Sequence, residues 1–241
     1  MNRILSSDFH RTIRNPIIYI LPVGLIFTLI LAIFYSGTKG GQITISQVFS
    51  DAVEMQTLIM IAADIVLIKL WSGERKHGYI KNIAGNVSGR HILPISKMIV
   101  GITLSVVYVV FSFIYMICAS SVRDTRIVYA PFSGQLVELL LWVLAGIASI
   151  AFMLMLYELF NSPTLCYIIA IMLWSGMLEN LILQIVYLIF KNEFYLGRYM
   201  LILGMKTEES GCIEDLIRTL IYIAVFMGAA IFTARKKDVN A

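Results

Sequence analysis

Six apolar stretches divide this chain, at about 16–35, 52–70, 95–119, 136–160, 164–190 and 216–234. Each is close to or longer than the roughly 20 residues that a helix needs to cross a bilayer core of about 30 Å. None shows the period-two alternation of a strand with one wet face. In hydrocarbon every backbone amide must be satisfied within its own segment or by a closed sheet, so long continuous runs mean helices. Composition agrees: 14% of residues are charged and 59% hydrophobic, against about a quarter charged in soluble domains. The expected fold is an all-α polytopic membrane protein, a single transmembrane domain over residues 1–241 with six spans.

Local signals refine the spans. Asn15-Pro16 and Ser162-Pro163 each set a capping side chain before a proline whose fixed φ suits a first helical turn. The connection at 161–163 is so short that spans four and five should form a tight antiparallel hairpin. Residues 164–190 as one helix would be about 40 Å long, more than the bilayer core requires. The run "FYLGRYMLILGM" (194–205) that follows is too short to cross. The stretch from about Gly176 to Met205 is therefore expected to be a broken outer half, with short re-entrant helices somewhere in 177–215. One long tilted helix followed by a loop is the alternative.

Cations set the orientation. With the N-terminus inside, the inner segments hold Arg3, Arg11, Arg14, Lys69, Arg75, Lys76, Lys81, Arg90, Lys97, Arg235, Lys236 and Lys237, the larger share of the nineteen Lys and Arg. Both termini are then expected in the cytoplasm. No cleavable signal is expected, because Arg3, Asp8, His10, Arg11 and Arg14 precede the first apolar run without a cleavage site after it. Residues 1–15 have two faces, with Ile4, Leu5, Phe9, Thr12 and Ile13 on one and Arg3, His10, Arg11 and Arg14 on the other. That pattern predicts a helix lying in the inner interface, with Leu5 and Phe9 in the acyl boundary and Arg11 and Arg14 on lipid phosphates. Asp8 alone is out of place on that wheel.

Several chemistries are missing. The chain has no Gly-rich loop with a following Lys-Ser or Lys-Thr to cradle nucleotide phosphates. It has no His-Glu-x-x-His, no serine elbow and no Cys-His pair. Cys118, Cys166 and Cys212 are too scattered for a metal pattern, though Cys118 and Cys212 both lie near the outer face. A chain of this kind is expected to be non-catalytic, with no metal and no cofactor of its own. Ionisable residues inside spans are costly and usually functional. Asp64 in span two and Glu179 in span five, with Gln184 beyond it, are the candidate pathway residues, and Glu138 lies near the outer start of span four. Asp64 and Lys69 sit about half a turn off a common face. Small residues at helical spacing (Gly101 and Ser105, Gly146 and Ile150 beside Ala145 and Ser149, Ala224 and Gly228) permit close helix approach, within the bundle or between two copies.

The densest polar patch lies between spans two and three, within 71–94. From Glu74 to Ala84 there is room for three helical turns, with Gly85 as a stop. Tyr79, Ile80 and Ile83 fall on one side, rimmed by Arg75, Lys76 and Lys81, with His77 and Gly78 between. A polybasic loop on anionic lipid would explain the cations but not that apolar side. The loop "GERKHGYIKNIAGNVSGRHILPISK" (73–97) resembles the first cytoplasmic loop of permease subunits of type-2 ABC exporters. Glu74, Arg75, Lys76 and Gly78 match the family's E-R-K-x-G element, and Lys97 leads into the next span.

The resemblance implies that Glu74 to Lys81, with Ile83, form a coupling helix that docks on a separate ATPase subunit, where ATP and Mg are bound. It also implies a second permease copy or paralogue in the same cell membrane, with spans one, two and five beside the pathway, near Asp64 and Glu179. Short permeases of this sort resemble those exporting amphipathic, antimicrobial or toxin peptides in Gram-positive bacteria. Others of the class move drugs, lipids, glycans or sodium. An ion-gradient-coupled carrier using Glu179 or Asp64 is the competing reading.

Overall fold

A computed structural model describes residues 2–16, 18–19, 22–23, 26, 60–73, 92–122, 132–190 and 212–239. These residues are helical, with short turns and no strand among them. Helix α1 is Asn2–Arg14, α2 covers 60–73, α3 is Ile92–Val122 and α4 is Phe132–Phe160. After them come α5, Pro163–Trp174, α6, Met177–Phe190, and α7, Cys212–Val239. Three stretches are long and apolar enough to cross a membrane: Ile92–Phe111, Leu140–Phe160 and Ile213–Lys236. The pair α5 and α6 adds a fourth if it is counted as one bent span. Of the six expected spans, the first and the beginning of the second lie largely outside the described residues.

Of the two caps anticipated from the sequence, the one at Ser162 is present, and the turn at Asn15 is closed by backbone bonds. Asn15 N–H donates to the Thr12 carbonyl at 3.1 Å as α1 ends, and Ile18 N–H donates back to the Asn15 carbonyl at 3.1 Å as the chain re-enters a helical turn past Pro16. Between α4 and α5 only two residues intervene. Asn161 takes a left-handed φ of 54°, a conformation Asn tolerates better than most side chains. Ser162 caps α5, accepting from Leu165 N–H at 3.4 Å, with Pro163 opening the helix.

The core is where α2, α3 and α4 meet. Val66, Leu67, Ile68, Val100, Ile150 and Met153 are among its fully buried side chains. Two glycines bring these backbones together. A Cβ on Gly101 would sit 2.7 Å from Ile150 Cγ2 and 3.3 Å from Leu67 Cδ1. One on Gly146 would meet Met60 Sδ at 2.9 Å and Ser105 Oγ at 3.1 Å. Helix α7 packs along α4, with Phe226 against Phe152 at 4.9 Å between ring centroids and Tyr222 stacked on Phe226 at 5.5 Å. Its outer side stays open: Ala224 and Gly228 are exposed, and nothing lies within 4 Å of where a Gly228 Cβ would be. The first two small-residue pairs thus serve packing inside the bundle, and the third does not.

One expectation about this end of the bundle changes. Trp71, placed by the sequence in the polar loop, is helical and buried in α2, its ring 6.0 Å from that of Tyr157. Residues 74–91 lie outside the described residues. Helix α1 lies against the bundle by the face that carries Asp8. Ile13 is exposed, and Asp8 and Thr12 face the bundle, with Leu5 and Phe9 packed at its margin.

Gly101 and Gly228 give a direct comparison. Gly101→Val should destabilise the bundle by about 1–3 kcal/mol through overpacking, while Gly228→Val should stay within roughly 0.5 kcal/mol. Thermal unfolding of both purified variants in the same detergent would check this.

Candidate functional site

Three buried polar groupings interrupt this apolar bundle. At the centre, Asp64 of α2 is 1% exposed. Its Oδ2 accepts from Ser149 Oγ of α4 at 2.5 Å and from Trp174 Nε1 of α5 at 2.8 Å. Trp174 Nε1 is also 3.1 Å from Ser149 Oγ, closing a triangle among three helices. The indole is itself fixed, stacking on Trp142 of α4 with centroids 6.3 Å apart. Ser149 lies eight residues from Tyr157, about 12 Å along the helix, which puts the triangle well inside the bundle from the Trp71 end. Lys69 is exposed and takes no part in this triangle. Lipid explains the arrangement: a buried carboxylate without donors would be costly, so the helices hold register where donors reach it.

At the base of α3, Asp8 answers for its odd place on the α1 wheel. Its Oδ1 lies 2.7 Å from Lys97 Nζ, with side chains 2% and 5% exposed. Its Oδ2 accepts from Ser96 Oγ at 2.5 Å. Thr12 turns its hydroxyl back to the Asp8 carbonyl at 2.7 Å, so it too is satisfied while buried. His10 and Arg14 are exposed, and Arg11 is half-buried. Beyond α1 the chain turns upward at once, and Tyr108 of α3 donates its hydroxyl to the Ile18 carbonyl at 3.3 Å. The N-terminal helix is thus tied to α3 by a buried ion pair as well as by apolar contact.

The third grouping is at the opposite end, between α6 and α7. Glu179 is buried in the first turn of α6. Tyr222 of α7 lies within electrostatic reach of both Glu179 and Arg218. Arg218 pairs with Asp215 one turn earlier, Nη2 to Oδ1 at 2.7 Å, with side chains only 13% and 6% exposed. Acids at the start of α7 and Arg235 and Lys236 near its end also complement the helix dipole.

The structure brings these residues together differently from the sequence. Asp64 and Glu179 are both buried, but in separate groupings. Gln184 is exposed on the far side of α6 and does not join Glu179. Ser149, Trp174, Ser96 and Lys97 are members that sequence reasoning did not assign to these sites. The only early signal was the misfit of Asp8 on its wheel. Glu74, Arg75, Lys76, His77, Gly78, Tyr79, Ile80, Lys81 and Ile83 lie outside the described residues, as do the side chains of Glu138, Cys118 and Cys212. Cys166 is a free thiol buried in the core. Among the described residues no group of His, Cys, Asp and Glu has a metal-binding arrangement.

No family model, curated protein or solved structure matches the chain. Its residues and their geometry therefore carry the functional reading.

Removing one partner of a buried pair leaves an uncompensated charge, at about 3–5 kcal/mol. Asp8→Leu should accordingly lower the melting temperature sharply, and Asp8→Leu with Lys97→Met should recover much of the loss. Scanning calorimetry of the two variants in detergent would show whether the pair is coupled.

Proposed function

We propose that the chain is the transmembrane subunit of an ATP-driven exporter of the type-2 ABC class. It would sit in a bacterial cell membrane, with both termini in the cytoplasm and a second permease facing it. Hydrolysis would take place on separate ATPase subunits, which bind the ATP and Mg, and amphipathic or antimicrobial peptides are the proposed cargo. The E-R-K-x-G element at Glu74 to Gly78 motivates this reading.

One mechanical observation supports it best. In sequence, Glu74 follows the buried Trp71 by three positions, and α3 begins at Ile92, four residues before Ser96, where Asp8 is held. A partner pulling on the chain between them therefore pulls on α2, α3 and the interfacial helix together. α2 in turn carries Asp64, through which the pull reaches α4 and α5. A docking helix with an apolar side of Tyr79, Ile80 and Ile83 and a cationic rim suits a groove on a soluble ATPase. The arrangement of α1, with His10 and Arg14 exposed beside the bundle, suits a helix on the anionic inner leaflet.

An ion-gradient-coupled carrier is the second reading, favoured by the burial of Asp64 and Glu179 inside the bundle. Within the ABC reading, drugs, lipids, glycans or sodium are the alternative cargoes.

Glu74→Ala and Arg75→Glu should weaken docking of the ATPase encoded beside this chain by roughly 10- to 30-fold, the effect of losing one interface anchor. The melting temperature of the isolated bundle should not change. Co-purification and titration of that ATPase in nanodiscs provide the measurement, and wild-type protein that binds no such ATPase would count against the reading.

A further inference from the structure

Helices α5 and α6 meet at 80° across Ser175 and Gly176. The break depends on very little backbone. Ser175 is already helical, at φ −74° and ψ −9°, and its N–H still donates to the Ile171 carbonyl at 3.0 Å. Gly176 alone is left-handed, with φ 74°. Glycine passes between that region and the right-handed helix with little steric cost. A change at this one residue would join Pro163–Phe190 into a single helix of about 42 Å, long enough to cross the bilayer with some tilt.

Apolar burial holds α6 in the bent position only near the hinge, where Leu178 packs against the core. Met177, Leu181, Ile182, Ile185, Leu188, Ile189 and Phe190 are all exposed, and Glu179 is the buried residue of this helix. An apolar helix of that kind is as well solvated by lipid in one orientation as in another. What else opposes straightening is polar and brackets the hinge. Trp174, the last residue of α5, is bound to Asp64 and Ser149. Glu179, in the first turn of α6, is buried within electrostatic reach of Tyr222.

We propose that Pro163–Phe190 is a two-position element, hinged at Gly176 and held bent by a latch in which Trp174 is bound to Asp64 and Ser149. Asp64 and Trp174 are then positioning residues for a moving helix. Freeing the indole releases the lower catch, and turning of Gly176 carries α6 into line with α5. Glu179 leaves the side of α7 in that movement and acts as the second catch. The device is independent of the energy source, so it holds for an ATP-driven permease or for a gradient-driven carrier.

Spin labels at Thr164 and Ile189, both exposed, would measure the bend in nanodiscs by pulsed dipolar spectroscopy, with Cys118, Cys166 and Cys212 replaced by alanine. The two positions are about 37 Å apart along a straight helix and roughly 9 Å closer across the bend. The unsubstituted hinge should give mainly the short distance. Trp174→Phe, which keeps the ring and loses the N–H, should populate the long one. Gly176→Ala should do the same, because alanine is strained at a left-handed φ. Ser149→Ala is the milder variant if Trp174→Phe does not fold, with the same shift expected. A short distance retained in Trp174→Phe, or in Ser149→Ala where that replaces it, overturns the latch. A short distance retained in Gly176→Ala overturns the hinge.

Discussion

The Asp64 carboxylate reaches into the middle of the bundle, and three helices are arranged around it. In water such a group would find its own donors. In a bundle surrounded by hydrocarbon the donors must come from the protein, and here they come from Ser149 and Trp174. That requirement sets the register of α2 against α4, and it draws the end of α5 inward. The Trp142–Trp174 stack depends on where Trp174 is held, and the break at Gly176 follows two residues later. Gly101 and Gly146 let α2, α3 and α4 approach closely enough for the bond geometry to form.

The same rule operates at both ends of the molecule. At the base of α3, Lys97 and Ser96 satisfy Asp8, which fastens the amphipathic α1 to the bundle. At the far end Asp215 and Arg218 are nearly buried beside Tyr222, with Glu179 close by. These charges contribute less to net stability than to specificity, since paired buried ions roughly break even against apolar residues while single ones are strongly destabilising. Their value to the fold is that each pairing admits one arrangement of helices.

Much of this fold was legible from the sequence. The apolar runs of spans three, four and six, the cap at Ser162-Pro163 and the break at Gly176 are local features, written within a few residues of where they act. The polar groupings are not local. Asp64 meets partners 85 and 110 positions away, and Asp8 meets Ser96 across 88. A helical wheel for α1 identifies Asp8 as an exception but holds no information about Lys97, so the buried ion pair that explains the exception could not be read from it. Spacing was equally blind to the difference between Gly101 and Gly228, which share a pattern but not a neighbour. Glu179 and Gln184 are the converse case. Five residues on a helix separate two side chains by about 140°, so their divergence was readable in advance.

The proposed permease rests on a loop that passes force to α2 and α3, and on an energy source outside the chain. Flux measured against energy source tests that most directly. Proteoliposomes containing this chain and the proposed ATPase partner, loaded with a labelled amphipathic peptide, should move the peptide only when ATP is supplied. The rate should survive an ionophore that collapses the proton gradient. Movement that needs no ATP and stops when the gradient collapses would contradict the account and assign the work to an ion-coupled carrier.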